Sequence, residues 1–372
     1  MRFAIITHVP HGLENHSYFA YAPYVREMNI WTQFTDTVEI VAPLELQRRT
    51  AIEIDYDQGN IVFSAIKSMN LIGFQSILRS LLHTPKTAFS IFRAMHRADH
   101  IHLRCPGNIG LLGCFLQIFF PNKTKTAKYA GNWDPNAAQP LTYRIQKWIL
   151  NNAFLTKNMQ VLVYGEWPGS SKNIKPFFTA TYQESDKMPV QPRLLQDTIR
   201  FLFVGSLAAG KRPLYAIQLV QKLSQSGNAV VLDFYGEGRE MQALKEYCAL
   251  NKLEKIIHFH GNRVEAVVRK AYQQSHFMLL PSQSEGWPKV VAEAMFWGCL
   301  PIASRVSCVP SMLDNGNRGI LLNVNLDQDV AAIEKILKNQ QQYDDKVLKS
   351  VAWSREYTLD LFKNQIKALL RP

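Results

Sequence analysis

The feature that most constrains this chain is a series of short apolar segments, each followed by an amphipathic one, which runs through the sequence twice. The first series opens at residues 3–7, an apolar run that ends in a polar loop, as is typical of a buried parallel strand. The series stops at residues 182–197, a polar stretch with two prolines and no period, and restarts at residue 200. Strands that alternate with helices indicate a doubly wound parallel sheet. The sequence therefore predicts an α/β chain with two Rossmann-like domains.

The individual elements follow from the same patterns. In the first half we predict strands at 3–7, 38–43, 61–64 and 99–104, and helices at 72–83 and 88–97, which Thr84 and Pro85 separate. In the second half we predict strands at 200–204, 230–235, 256–260, 277–281, 300–303 and 320–322, with helices at 213–224, 239–250, 264–274, 288–297, 329–339 and 344–370. The predicted domains are residues 1–190 and 198–350, joined by a linker at 182–197. Residues 351–372 form a C-terminal helix, for which packing back on the N-terminal domain is one option.

The charge of the chain is strongly basic and unevenly distributed. The net charge is +12, and residues 61–183 contain fourteen lysines and arginines but three acids. Such a surface attracts phosphate-bearing substrates, acidic membranes or nucleic acid. No helix-turn-helix, RNA-recognition or zinc pattern is visible, so we expect no nucleic-acid partner. A basic protein without a specific anionic partner is the plain alternative.

Cysteine use and hydropathy bear on the compartment. The five cysteines are odd in number and none has C-x-x-C spacing, which argues against a disulfide scaffold or a structural zinc site. The longest apolar stretch, residues 109–120, is shorter than the ~20 residues that span a bilayer. We expect a cytoplasmic protein without a signal peptide. The basic, amphipathic helices at 72–83 and 88–97 leave peripheral contact with the anionic inner face of a membrane open, beside an ordinary role in the core.

The segment 280–298 (LPSQSEGWPKVVAEAMFWG) is the most informative in the chain. A strand ends at Pro281, a polar loop follows, and Pro288 suits the first turn of a helix. Gly298 suits the position just past the helix end, and Gly286 allows a close backbone approach to a ligand. A helix start of this kind offers free N–H groups to an anion.

Two carboxylates flank that helix start. Glu285 lies in the loop, and Glu293 follows Pro288 by five residues, roughly 7–8 Å along a helix. Carboxylates accept hydrogen bonds from vicinal hydroxyls, so Glu293 could hold a ribose and Glu285 a sugar beside a bound diphosphate. Taken singly, each is more simply a solvated residue; their joint setting favours a site.

These residues carry a family resemblance. Glu285, seven residues and Glu293, within P-S-x-S-E-G-W-P-x-V-x-x-E-A-M-x-x-G-C-x-P, resemble the E-x7-E motif of glycosyltransferase family 4. The similarity covers roughly residues 200–325, and the first half only in layout. The family implies the GT-B fold, in which two domains face a cleft, and sugar transfer with retention of the anomeric configuration. It also implies metal-independent transfer from a nucleoside diphosphate sugar.

The loop after the first strand of the second half is the next candidate. Gly205, Gly210 and Lys211 almost spell a P-loop, but Arg212 stands where the Mg²⁺-binding Ser or Thr is needed. The loop instead resembles the family's V-G-R-L-x-x-x-K-G stretch, whose Arg and Lys hold the donor diphosphate. Lys211 matches that lysine. Ser206 replaces the arginine, and Arg212 is expected to supply the missing charge.

Two further loops resemble donor-binding parts of the family. Gly236 and Gly238 are expected to form a turn near the donor, and Asn262 and Arg263 to lie near the nucleotide base, although an ordinary turn explains the latter pair equally well. The residues that the resemblance assigns to the donor are Gly205, Ser206, Arg212, Gly236, Asn262, Arg263, Gly286, Trp287, Pro288, Lys289, Val290 and Glu293, with Lys211, Glu285 and Arg104 as catalytic residues.

The first half offers weaker signals. His102 and Arg104 end a strand and resemble an H-x-H-x-P motif with Arg104 in place of the second histidine, which would aim it at the transferred sugar. Asn132, near the end of the next strand, and His11 and Gly12, after the first strand, are expected on the acceptor or sugar side. A packed or surface role is the simpler alternative for each histidine.

A D-x-D tripeptide, Asp55 to Asp57, is the metal signature of the other large glycosyltransferase fold, but we interpret it as a turn and assign no metal ligand.

The predicted function is therefore that of a hexosyltransferase-type, retaining glycosyltransferase. Its co-substrate is a nucleoside diphosphate sugar, with UDP or GDP as the carrier, and it needs no other cofactor. Its acceptor is a glycan or a polyprenyl-diphosphate-linked glycan, in polysaccharide or lipopolysaccharide synthesis. The alternative is a non-catalytic GT-B-like module that binds a glycan or a protein partner, which the departure at Ser206 leaves open.

Overall fold

The computed structural model describes residues 1–45, 49–50, 52–69 and 74–370, with only the backbone for residues 74–81. The chain divides into two compact units. The first contains Met1–Phe177 with Lys363–Pro372, and the second contains Phe178–Phe362. Within the described residues, no helix combines the length and the apolar character that crossing a membrane requires.

The first unit is built on a parallel sheet of seven strands. The strands of the whole unit, including three outside this sheet, are β1 (Arg2–Ile6), β2 (His11–Glu14), β3 (Ser17–Tyr21), β4 (Thr37–Pro43), β5 (Glu53–Asp55), β6 (Ile61–Ile66), β7 (His100–Cys105), β8 (Thr124–Tyr129), β9 (Met159–Tyr164) and β10 (Ile174–Phe177). Its helices are α1 (Ala22–Thr32), α2 (Phe74–Arg97), α3 (Asn108–Leu116) and α4 (Leu141–Leu150). The strand order is β10-β9-β8-β7-β1-β4-β6. Central strands such as β1 are buried on both faces, which explains their unbroken apolar sequences.

The second unit repeats this plan with six parallel strands. They are β11 (Ile199–Val204), β12 (Val230–Tyr235), β13 (Ile257–Phe259), β14 (Phe277–Leu280), β15 (Leu300–Ser304) and β16 (Ile320–Leu322), in the order β13-β12-β11-β14-β15-β16. The helices are α5 (Pro213–Gln225), α6 (Met241–Leu250), α7 (Glu265–Gln274), α8 (Lys289–Phe296), α9 (Val309–Met312), α10 (Leu326–Leu337) and α11 (Gln340–Ser354). Helix α12 (Leu359–Leu370) starts in this unit and ends in the first. The prediction of two Rossmann-like parallel-sheet domains is confirmed.

A small antiparallel sheet was not predicted. Strands β2, β3 and β5 form it, with Gly12 opposite Phe19 and Phe19 opposite Asp55. These strands are three to five residues long and do not alternate cleanly between apolar and polar residues. Their pairing therefore depends on tertiary contacts that a local pattern cannot reveal.

The predicted break at Thr84 and Pro85 is wrong, because α2 continues through Pro85. A proline inside a helix removes one hydrogen bond and costs about 3 kcal/mol. The following turns bury Ile91, Ala94 and Met95 completely. Burying one such side chain contributes about 1.5–3 kcal/mol for the larger residues, so packing outweighs the cost of the proline.

The predicted helix at 344–370 is in fact two helices, α11 and α12. The chain leaves the helical path after Ser354, and Thr358 starts the next helix, where its hydroxyl accepts from the Leu361 N–H at 3.4 Å. A threonine at this position satisfies one of the N–H groups that a helix start leaves open. From Lys363 on, the chain belongs to the first unit, where the Lys363 ammonium lies 6.0 Å from the centre of the Phe34 ring.

The predicted linker, residues 182–197, is an integral part of the second unit. Arg193 donates to the carbonyl oxygens of Gln273 at 2.9 Å and Gly298 at 2.7 Å. Val190 and Leu195 pack against the core of this unit. The segment is polar and without a period because side chains rather than a helix or strand anchor it, and the structural boundary falls after Phe177 rather than at residue 190.

Candidate functional site

The loops that follow β11 and β14 meet at the centre of the second sheet. From β11 the chain adds β12 and β13 on one side, and from β14 it adds β15 and β16 on the other. The gap between the loops after β11 and β14 is therefore the switch point of the sheet. In open α/β sheets, ligands bind at such points, beyond the carboxyl ends of the strands. The Gln283 N–H donates to the carbonyl oxygen of Gly210 at 2.8 Å, which ties the two loops together.

Lys211 and Glu285 form an ion pair across these two loops. The Lys211 Nζ lies 2.5 Å from Glu285 Oε1, and 30% of the lysine side chain but only 9% of the glutamate side chain is exposed. The lysine is therefore the partner that solvent or a ligand can reach. Two residues predicted from separate motifs thus lie in direct contact.

Arg212 lies beside the same pair. Its backbone is left-handed, with φ 50° and ψ 51°, between the turn Ala209–Lys211 and helix α5. Its Nη1 is 3.5 Å from the carbonyl oxygen of Pro281, a long contact that leaves most donors of the guanidinium available. Ser206 is exposed and its carbonyl accepts from the Ala208 N–H. A second cation is therefore present near Lys211, and its compensation for Ser206 stays a prediction.

The glycines of the neighbouring loops permit a close backbone approach. A Cβ on Gly236, whose φ is +141°, would lie 2.0 Å from the carbonyl oxygen of Gly205. A Cβ on Gly238 would lie 2.2 Å from the carbonyl oxygen of Leu207. Because no side chain fits there, the loops after β11 and β12 pack backbone to backbone, and the Leu207 N–H donates to the carbonyl of Glu237 at 2.9 Å.

The start of α8 is open to an anion as far as side chains are concerned. The helix begins at Lys289 with Pro288 in the capping position, one residue later than predicted, and no side chain of the described residues caps it. Val290 lies in this first turn. The carbonyl of Gly286 accepts from the Ser307 hydroxyl at 3.1 Å, so the loop is fixed from the side of β15. Gly298 has the left-handed φ of +71° expected just past the helix end.

The Trp287 ring does not point to this helix start. Its centre lies 6.2 Å from the Trp353 ring and 5.8 Å from the Tyr357 ring, and Phe178 joins the same cluster at 6.5 Å. An aromatic cluster of this kind fixes the ring in place. Any contact of Trp287 with a ligand at the helix start would therefore come from its backbone.

Glu293 is held by protein hydroxyls. Its Oε1 accepts from Thr181 at 2.7 Å and its Oε2 from Tyr272 at 3.0 Å. Burial and the Glu293 charge raise the pKa of Tyr272, so its hydroxyl stays protonated and donates. The space beside the carboxylate is about 10 Å³, room for no more than one water. A ribose would have to displace Thr181 or Tyr272 from Glu293, contacts that the sequence did not reveal.

Asn262 and Arg263 follow β13. The Asn262 N–H is 3.4 Å from Glu237 Oε1, and Arg263 is exposed. Glu237 was missed at the level of sequence, although its position between two predicted turn glycines marks it. Tyr235 stacks on His260 with 4.6 Å between ring centres and 16° between planes, at the ends of β12 and β13. This pair presents an aromatic surface beside the predicted base-binding loop.

The prediction that His102 faces a sugar or an acceptor is wrong, because its side chain is completely buried. Its ring packs 4.5 Å from Trp31 and 5.7 Å from Phe3, and its Nδ1 is 2.9 Å from the Thr126 hydroxyl. Burial lowers the pKa of His102 well below its usual value. The side chain points into the core because alternate residues of β7 face the same side of the sheet.

Arg104 lies in a salt bridge rather than an open position. Its Nη1 is 2.7 Å from Glu27 Oε1 on α1, with 12% and 5% of the two side chains exposed. Its guanidinium also lies 5.6 Å from the centre of the Tyr24 ring. Burial lowers the pKa of Arg104, but the Glu27 carboxylate outweighs this and the pKa is raised overall. The geometry supports a structural role, in place of the predicted catalytic one.

His11 and Gly12 are part of the small antiparallel sheet. His11 is completely buried, with its ring nitrogens 2.8 Å from the Val9 carbonyl and 2.8 Å from the Tyr56 hydroxyl. Burial lowers the pKa of His11 to about 4. A Cβ on Gly12 would lie 2.1 Å from the Phe19 ring, so the glycine makes room for that ring. These packing contacts account for both residues, in place of the predicted position on the acceptor side.

Asn132 shapes its own loop, since its Oδ1 accepts from the Asp134 N–H at 2.9 Å. It is half-buried, and its acceptor role stays a prediction.

The D-x-D tripeptide lies at the end of β5, where Asp55 accepts from Arg49 at 2.8 Å. Among the residues that the structure describes, no three His, Cys, Asp or Glu side chains cluster as a metal site requires.

Comparison with known proteins finds a family similarity within the second unit. Residues 184–349 match the family model described as Glycosyl transferases group 1. An uncharacterized glycosyltransferase of Haemophilus influenzae is 28% identical over 173 residues, which are 45% of this chain and 48% of that protein. The chain thus spans about half the length of the curated relative it matches.

Solved structures match over the whole chain. The Anabaena HepE protein in complex with UDP and glucose has a TM-score of 0.70 at 13% identity, over 99% of this chain and 98% of that one. The apo form of the lipopolysaccharide outer core galactosyltransferase WaaB has a TM-score of 0.69 at 16% identity, over 100% and 99% of the two chains. Residues 184–349 are therefore similar to the glycosyl transferases group 1 model, in a chain that has the fold of GT-B glycosyltransferases.

Proposed function

We propose that this protein transfers a hexosyl residue from a nucleoside diphosphate sugar to a hydroxyl group of a glycan or lipid-linked glycan, with retention of the anomeric configuration and without a metal ion. The observation that carries the proposal is the Lys211–Glu285 pair at the switch point of the second sheet. A reachable lysine and an open helix start suit a diphosphate, and the group 1 domain match supports a sugar donor.

The chemistry rests on charge that develops on the leaving diphosphate. As the bond from the anomeric carbon to the phosphate oxygen breaks, negative charge grows on that oxygen. Lys211, Arg212 and the first N–H groups of α8 would stabilise this charge, and such preorganised groups usually contribute the largest share of catalysis. No residue is proposed as a covalent nucleophile.

Glu285 changes partner in this proposal. Its Oε1 lies 2.5 Å from the Lys211 Nζ and neutralises that charge. A bound diphosphate competes for the lysine, which frees the carboxylate to accept from sugar hydroxyls. Glu293 is proposed to hold the ribose after Thr181 and Tyr272 yield to it.

The donor carrier is proposed to be UDP, with GDP as the second candidate. The HepE structures contain UDP and UDP-glucose, which makes uridine donors the first to test. The acceptor is proposed to bind the basic first unit. A polyprenyl-diphosphate-linked or lipopolysaccharide-type acceptor at the inner face of a membrane would suit its charge.

The test is release of UDP from UDP-glucose by the purified chain, with and without acceptor. Lys211→Ala and Glu285→Gln should each lower the rate about 100-fold or more, because one preorganised charge is lost. Lys211→Gln, which keeps a donor for Glu285, should be equally slow and remain folded. Lys245→Ala, an exposed lysine on α6, is the matched control and should keep the full rate.

Two outcomes would contradict the proposal. Unchanged turnover in folded Lys211→Gln would remove its chemical basis. Loss of turnover in EDTA that Mg²⁺ or Mn²⁺ restores would contradict metal-independent transfer.

A non-catalytic binding module is the second candidate, and Ser206 at the position of the family's arginine favours it. A chain that binds UDP but turns over no UDP- or GDP-sugar, with or without acceptor, would support this alternative.

A further inference from the structure

We infer that a pocket in the first unit binds an acidic stretch of the acceptor glycan, an inference that rests on the proposed function and names the chemistry of its acceptor. The pocket has a volume of about 610 Å³, within the range of roughly 300–1,000 Å³ that is typical of ligand sites. Helix α4 and the loops after β8 and β9 line it. It lies entirely outside the donor loops of the second unit.

Trp148 and Trp167 provide most of the indole surface of this pocket, and Trp133 lines it but is only 4% exposed. Trp148 on α4 is 64% exposed and has no ring or hydrogen-bond partner in the described part of the chain. Trp133 and Trp167 are fixed: Trp133 contacts the Tyr129 ring edge-on at 4.9 Å, and Trp167 donates to the Tyr164 carbonyl at 2.7 Å. The negative face of an indole attracts the polarised C–H groups on one face of a pyranose ring. The exposed Trp148 ring, with Trp167 in the same pocket, therefore suits sugars.

The amide side chains of Asn151 and Gln139 in the walls are already engaged, so this part of the pocket is preformed. Asn151 donates to the Gly169 carbonyl at 3.2 Å and accepts from the Ser171 N–H at 2.9 Å, which holds the loop after β9 against α4. Gln139 accepts from the Tyr129 hydroxyl at 3.2 Å and also donates to the Asn132 carbonyl. A ligand meets walls that need little reordering, which reduces the entropic cost of binding.

The charge of the pocket indicates that the sugar is acidic. Arg144 lines it one helical turn before Trp148, is exposed, and has no ion-pair or hydrogen-bond partner among the described residues. Lys147 donates to the Asp134 carbonyl at 2.8 Å and lies 5.6 Å from the Trp133 ring. None of the side chains that line the pocket is acidic. An arginine with all donors available binds a carboxylate or phosphate in a bidentate manner.

A nucleotide is less well suited to this pocket than a glycan. A nucleoside phosphate needs one stacking surface and a loop of N–H groups for its phosphates, and the second unit supplies such loops. Here the exposed Trp148, the half-buried Trp167 and the unpaired Arg144 can contact the rings of a glycan and one of its acidic groups. We therefore commit to a glycan and keep the nucleotide as an outcome of the test.

The experiment measures binding of a tetrasaccharide of alternating glucuronate and N-acetylglucosamine to the full chain, by calorimetry and tryptophan fluorescence. Trp148→Ala should weaken binding tenfold or more. The methyl ester of the tetrasaccharide should bind the unmodified chain at least fivefold more weakly than the acid, and Arg144→Gln should abolish that preference. Phe154→Ala, an exposed aromatic just after α4 that does not line the pocket, is the matched control and should bind normally.

Unchanged affinity in Trp148→Ala, or equal binding of the acid and the ester, would overturn the inference. A competition with UMP is done in Lys211→Gln, which weakens nucleotide binding at the loops of the second unit. Displacement of the tetrasaccharide by UMP in this variant would assign the pocket to a nucleotide and would also overturn the inference. Failure of the proposed function is distinguishable, since the binding assay contains no donor. A chain that binds the glycan through Trp148 but never turns over a donor contradicts only the transfer reaction. A chain that turns over UDP-glucose but does not bind the tetrasaccharide contradicts only the pocket.

Discussion

At the scale of single residues, two ion pairs with similar geometry have different consequences. Lys211 lies 2.5 Å from Glu285 and Arg104 lies 2.7 Å from Glu27. The lysine side chain is 30% exposed, so it can exchange its partner for a ligand, whereas the arginine is 12% exposed and lies against Tyr24. Burial and the neighbouring ring, rather than residue type, thus separate a candidate catalytic cation from a structural one.

The structural role of Arg104 predicts a specific pattern of stability. Arg104→Met should destabilise the fold by about 3 kcal/mol, because the buried Glu27 carboxylate loses the positive charge of Arg104. The double variant Arg104→Met with Glu27→Met should recover most of this loss, since apolar residues of similar volume replace both charges. Chemical denaturation of the two variants measures the difference.

The double variant also separates structure from catalysis. It should retain UDP release from UDP-glucose at the level of the unmodified chain. A folded double variant with a hundredfold loss of turnover would instead return Arg104 to the reaction centre.

At the scale of elements, the candidate site depends on how closely three loops approach one another. The Gly205 N–H donates to the Tyr235 carbonyl, and the Gly236 N–H to the Gly261 carbonyl, both at 2.9 Å. These bonds fix the loops after β11, β12 and β13 as one layer at the carboxyl edge of the sheet. Lys211 extends from this layer toward Glu285. A shift of one of these loops would therefore displace the Lys211 ammonium.

A pair of glycine substitutions tests this layer. Gly236→Ala places a Cβ 2.0 Å from the Gly205 carbonyl oxygen in a backbone conformation with φ +141°, and should cost about 2 kcal/mol or more. It should also lower UDP binding by moving the loop that carries Lys211. Gly210→Ala is the control, because nothing lies within 4 Å of its Cβ and its φ is not in the left-handed region.

The readouts are thermal unfolding and the shift of the unfolding temperature with UDP. Equal behaviour of the two alanine variants would show that the loop contact does not position the cation.

At the scale of the whole molecule, the sequence predicted the parallel sheets well and the environment of the first-unit site residues poorly. Strands such as β11 and β14 are continuous apolar runs bounded by turn residues, a local signal that needs no knowledge of neighbours. The sequence placed Lys211 and Glu285 in loops at the carboxyl edge of one sheet, but it did not predict their ion pair. His102 was misassigned because the alternation of β7 does not say which face α1 covers. The β2–β3 hairpin was not predicted because its short strands do not alternate cleanly between apolar and polar residues.

Three buried histidines, His11, His100 and His102, make the stability of the first unit depend on pH. Burial lowers the pKa of His11 and of His100 to about 4, and lowers that of His102 further below its usual value. The unfolded chain has histidine pKa values near 6.5, so between about pH 6.5 and 4 it binds protons that the folded chain does not. The contribution of these neutral histidines to the free energy of unfolding is therefore fully present above pH 6.5 and is lost as the pH falls toward about 4. Each such histidine contributes up to about 1.4 kcal/mol per pH unit to the slope of the unfolding free energy against pH.

Denaturation at pH 7.5, 6.0 and 5.0 should show this loss, and hydrogen exchange at pH 5.0 should place it in β1, β2 and β7. His100→Gln should reduce the slope of unfolding free energy against pH by up to about 1.4 kcal/mol per unit, whatever its effect on absolute stability. His83→Gln, at an exposed position on α2, should leave the slope unchanged. If His100→Gln and His83→Gln gave the same slope as the unmodified chain, the buried histidines would not be the groups that couple folding of the first unit to acid.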